Sequence, residues 1–158
     1  MASEHALWSQ LNHTLESDLT TTGQLLDLLN RERQSLEQRD YQTFQQLLRE
    51  KQSLLQHLEN QSKQRQQLLK AAGFSDETST LQAADHYAPA VAQAWRSLVE
   101  QWKRCQELNA VNERIAQRTR LVANRILDIL RGSRGGTRLY DNKGSAHTSG
   151  GGGTITSA

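Results

Sequence analysis

Two cations stand where a packed helix should be apolar. Lys51 and Arg65 fall on the leucine stripe of a helical stretch running from Gln24 to Gly73. Bundles normally fill such positions with aliphatic side chains. Two roles fit them. They can snorkel past the seam to reach acids on the first or third long helix, with their stems packed as apolar matter. Or they can edge a groove that receives a partner's acids. The structural role is the favoured one. Other groups capable of chemistry are scattered. His5, His13, His57, His86 and His147 lack metal-ligand spacing, and His57 reads as a rim histidine. The glycine run at 150–153 follows no strand and precedes no helix, so it is no phosphate loop. Glu32, Glu37, Asp40 and Glu50 are expected to form surface ion pairs with Arg33, Arg39, Arg49 and Lys51. The single cysteine, Cys105, reads as core filler and excludes an internal disulfide. No catalytic constellation emerges, so neither an enzyme nor a cofactor or metal is expected.

The elements that must position these residues are helices. The 158-residue chain is 35% hydrophobic and 5% aromatic, with 18 glutamines and one proline. Leucine, glutamine and mixed charge favour long, surface-rich helices over a sphere. A net charge of +2 is too small for a nucleic-acid footprint. No apolar run approaches the ~18 residues of a membrane span. The N-terminal MASEHALWSQ lacks the pattern of a signal peptide, and a cytoplasmic location is expected.

The fold class expected is all-α, an elongated antiparallel bundle of three long helices. The first spans about 3–39, with a seam of Trp8, Leu11, Leu15, Thr22, Leu25, Leu29 and Leu36. Asp18, Thr21, Thr22 and Gly23 interrupt that seam, and a bend or soft spot is expected there. The second spans about 40–72, capped by Asp40 and stopped by Gly73. Tyr41, Leu48, Leu55 and Leu69 form its seam, Phe44 and Leu58 fill the alternate line, and Leu47, Leu54 and Leu68 widen it. A short helix at about 76–84 connects to a third long helix at about 89–130, opened by Pro89. Asn109 and Asn112 on that helix suit buried polar contacts that fix register. Residues 131–158 are glycine- and serine-rich and form an expected flexible tail.

The third long helix ends unusually. Leu121, Val122, Ile126, Leu127, Ile129 and Leu130 put six large aliphatics into ten residues. They spread over most of the helix circumference, so one neighbouring helix could not cover them. Within the tail, Leu139 and Tyr140 form an apolar island of the kind that docks.

In order and spacing, these pieces resemble the FlgN-type flagellar export chaperones. The resemblance is carried by LLDLLNRERQSLEQRD, LLREKQSLLQHL, QRQQLL and AAGF. These contain Leu28–Leu29, Glu32, Asp40, Lys51 with Leu54–Leu55, Arg65 and Gly73. Downstream, Asn109 and Asn112 add a paired-asparagine element, and LYDNKG is similar to a Tyr-x-x-x-Gly tail motif. The similarity spans about residues 20–145. It implies a type III export chaperone that masks the C-terminal helical segments of the hook–filament junction proteins FlgK and FlgL. It also implies delivery to the export gate protein FlhA, with no cofactor.

On these residues, the 121–130 face is the expected substrate surface, in a helix-in-groove or bundle-completing mode. Leu139 and Tyr140 are the expected gate contacts. The same face could instead pack on the first helix or in a homodimer. A coiled-coil adaptor with another helical partner is the competing reading.

Overall fold

The computed structural model describes the backbone of residues 2–155 and the side chains of residues 3–131. The chain is all-α among these residues. Its helices are α1 (Ala2–Glu37), α2 (Tyr41–Ala71), α3 (Glu77–Tyr87) and α4 (Pro89–Ile155). Met1–Ile115 form one unit and Ala116–Ala158 a second. The tail expected from residue 131, with Leu139 and Tyr140, lies outside the described side chains except for Arg131.

Backbone chemistry makes the turns. After α1, Asp40 N donates to Ser35 O (2.9 Å) and Arg39 N to Leu36 O (3.2 Å). Arg39 takes the left-handed conformation, φ 57°, that lets both bonds close. Asp40 then serves the next helix, because its carboxylate accepts from Thr43 N at 3.1 Å and from Thr43 Oγ1 at 2.7 Å. After α2, Gly73 at φ 88° does what Arg39 does after α1. Gly73 N donates to Lys70 O and Phe74 N to Leu69 O. Phe74 is thereby thrown back onto Trp8, with ring centroids 5.7 Å apart.

Two apolar clusters fill the first unit. One joins Trp8, Leu11 and Leu15 of α1, Leu69 of α2, Ala84 of α3, and Val91 and Trp95 of α4. The other joins Leu25 and Leu29 to Cys105, flanked by Leu54, Leu58 and Trp102. The start of α1 thus meets the end of α2 and the start of α4. Hence α2 runs antiparallel to α1, and α4 runs parallel to it.

The inward line of α2 differs from the expected one. Of the expected line Leu69 is buried but Tyr41, Leu48 and Leu55 are exposed, whereas Leu47 is buried and Phe44, Lys51, Leu54, Leu58 and Arg65 are half-buried. The seam runs along the line that holds the two cations, and the leucines at 48 and 55 flank it. α1 is helical throughout the Thr20–Gly23 stretch. There Thr20 and Thr21 donate their hydroxyls to the carbonyls of Glu16 and Ser17, one turn back.

Candidate protein-binding site

Two ion pairs lie in the interior of the first unit. Lys51 Nζ sits 3.2 Å from both carboxylate oxygens of Glu32 and also donates to Asn109 Oδ1. Arg65 pairs with Asp18, and its guanidinium lies over the Trp95 ring, 5.6 Å from the centroid. Glu32 and Asp18 are 1% and 2% exposed, so both acids belong to the core. Burial pushes the Asp18 carboxyl above its ordinary value, while Arg65 and, more weakly, His57 pull it back. Each cation therefore meets an acid of α1, as the snorkelling role requires, and both heads are occupied within the chain.

Glu32 forms no surface ion pair, because its pairing with Lys51 is buried. Residues one apart on a helix do not face each other, and Arg33 pairs with Glu37 at the surface (3.1 Å), within the expected set. Glu50 finds Arg31 across the helix interface, at 3.8 Å. Asp40 spends its carboxylate on capping. Asn112 is buried and donates to Leu29 O (2.8 Å), a polar tie between α4 and α1. Cys105 is buried, its Sγ 3.8 Å from Thr22 O, and desolvation raises its thiol pKa, as befits an inert core thiol. Among the described residues, no group of three or more metal-ligating side chains occurs. Nor is any described helix long and apolar enough to cross a membrane.

What the sequence singled out for binding lies in the second unit. Leu121, Val122, Ile126, Leu127, Ile129 and Leu130 are all exposed, with Leu121 at 68% and Leu127, the least, at 46%. Helix periodicity spreads them over about two thirds of the circumference. An aliphatic surface of this density is characteristic of an interaction site. A separate open groove of about 890 Å³ lies in the first unit, with Leu69, Phe74, Trp95, Leu98 and Trp102 among its lining.

Buried ion pairs that brace long helices, with exposed aliphatics at residues 121–130, define an all-α helical module. The comparisons give this module a family. The model of the FlgN protein family matches residues 1–148, and the chain belongs to that family. This makes it a flagellar export chaperone in the general sense, of a family that is not enzymatic. A crystal structure described as a flagella synthesis protein FlgN, from Pseudomonas aeruginosa, is 35% identical. It superposes with a TM-score of 0.63 over 68% of this chain and 86% of that one. No curated protein matches.

Proposed function

We propose that the chain is a cytoplasmic type III export chaperone for the hook–filament junction proteins FlgK and FlgL. It takes their C-terminal helical segments on the face formed by Leu121, Val122, Ile126, Leu127, Ile129 and Leu130. Delivery to the export gate FlhA runs through Leu139 and Tyr140. One observation carries the substrate reading, namely six large aliphatics exposed within ten residues of helix. Family membership supports it, because an export chaperone needs a surface for its cargo. Covering that surface with an amphipathic helix recovers the hydrophobic free energy its exposure forgoes.

The test is a pull-down with the C-terminal segment of FlgK. Ile126→Asp should abolish capture while helix content, read by circular dichroism, stays near that of the wild type. Retained capture would overturn the assignment. Tyr140→Ala should spare cargo binding and weaken FlhA binding; unchanged gate affinity and junction-protein export would refute the gate role.

A further inference from the structure

The aliphatic face of residues 121–130 has borders, and the borders are charged. Arg118, Arg120, Arg125 and Arg131 occupy the same stretch of α4, and all four are exposed. Asp128 is the only carboxylate between Arg118 and Arg131. Among the described residues, none of these arginines makes an ion pair.

Helix geometry sorts them. At about 100° per residue, Val122, Ile126, Leu127, Ile129 and Leu130 fall on one arc. Arg118 and Arg125 lie on one border of that arc, and Arg120 and Arg131 on the other. Leu121 and Asp128 take the remaining back. Charges flanking an apolar seam are the positions that choose partners in helix pairing. Here both flanks carry the same sign, and both use the residue whose planar fork matches a carboxylate.

We propose that this face selects amphipathic helices whose apolar stripe is edged on both sides by aspartate or glutamate. The proposal rests on the reading of the face as the cargo surface, and it adds the chemical class of the cargo. A second copy of this chain is the wrong occupant, since it would set arginine borders against arginine borders. An anionic lipid surface could also attract such a helix. The large apolar residues of the arc, however, are Val, Ile and Leu, without the Trp or Phe that anchor interfacial helices. Each exposed pair contributes modestly, so the effect is one of selection and encounter rate summed over four sites.

Three synthetic helical peptides sharing one Leu/Ile stripe test this, with the stripe edged by Glu, by Gln or by Lys. Binding to the full chain is read by fluorescence anisotropy. The Glu-edged peptide should bind about tenfold more tightly than the Gln-edged one, and the Lys-edged one more weakly than either. The Glu advantage should shrink with added salt and vanish in the exposed-surface variant Arg118→Gln/Arg120→Gln/Arg125→Gln/Arg131→Gln. Equal binding of the Glu- and Gln-edged peptides, with Ile126→Asp still abolishing both, overturns charge selection and leaves the cargo face standing. Binding untouched by Ile126→Asp overturns the face itself. Sedimentation with phosphatidylglycerol–phosphatidylcholine vesicles that the Glu-edged peptide cannot reverse assigns the arginines to a membrane and also overturns the proposal. So does a tight dimer by analytical ultracentrifugation that Ile126→Asp dissolves and the peptide does not.

Discussion

Lys51 Nζ lies 3.2 Å from each carboxylate oxygen of Glu32, nineteen residues earlier in the chain. Arg65 and Asp18 repeat the arrangement. From Asp18 to Glu32 is fourteen residues of α1, and from Arg65 back to Lys51 is fourteen residues of α2. Two antiparallel helices can satisfy both pairs only in a single register. Two contacts set the parallel partner in the same way, since Cys105 to Thr22 and Asn112 to Leu29 are each separated by 83 residues. A purely leucine seam would tolerate a slip by one heptad. Here a slip would leave buried charges unpaired, which is costly.

Removing one partner of the first pair should therefore cost more than removing both. Lys51→Met leaves the Glu32 carboxylate buried beside Asn109 and should lower stability by about 3–5 kcal/mol in urea denaturation. Adding Glu32→Gln should restore most of that loss, because it removes the buried charge that Lys51→Met leaves unpaired. Losses that simply add would show that the two side chains do not depend on each other.

At the second pair the readout is pH. Burial holds the Asp18 carboxyl above its ordinary value despite Arg65. The native state thus takes up a proton before the unfolded chain does. This group's contribution to stability is complete below the unfolded value and is lost as pH rises through the raised native one. Arg65→Met removes the main influence pulling the value down. The variant should lose about 3 kcal/mol near pH 7, with the deficit shrinking as pH falls toward the carboxylate range. Asp18→Asn/Arg65→Met should flatten that difference. A deficit independent of pH between the variant and the wild type would contradict the assignment.

These partners are written in the sequence, Asp18 as an interruption of the α1 seam and Glu32 without such a mark. The seam of α1 reads Trp8, Leu11, Leu15, then Thr22, Leu25, Leu29, then Leu36. Its two gaps fall where residues 18 and 32 complete the heptads, and those are the two buried acids. Apolar scoring passes over a charged seam residue on one helix for the same reason that it flags one on the next. Glu32 was further disguised by Arg33, a neighbour in sequence that points elsewhere. On α2 the leucines at 48 and 55 drew the seam a quarter-turn off, since leucine is equally at home on a flank. Helix number, the caps at Asp40 and Gly73 and the dense aliphatics after residue 120 were legible, because each rests on local chemistry. Which acid meets which base depends on register, a property of two helices together.

The turns offer the last prediction. Arg39 and Gly73 hold equivalent places after α1 and α2, both at positive φ. For a residue with a Cβ, that conformation costs about 1–2 kcal/mol, and glycine escapes it. Arg39 is exposed and forms no ion pair among the described residues, so Arg39→Gly should stabilise the fold by about 0.5–1 kcal/mol after glycine's extra unfolded-state entropy is subtracted. Gly23 presents the opposite case. It sits inside α1, and a methyl group added at its Cα would meet nothing within 4 Å, so Gly23→Ala should also stabilise, by roughly 1 kcal/mol. One site lies inside α1 and the other in the turn that follows it, with no shared contact, and the two gains should add in thermal unfolding. A loss of stability in Gly23→Ala would contradict the open space at that Cα.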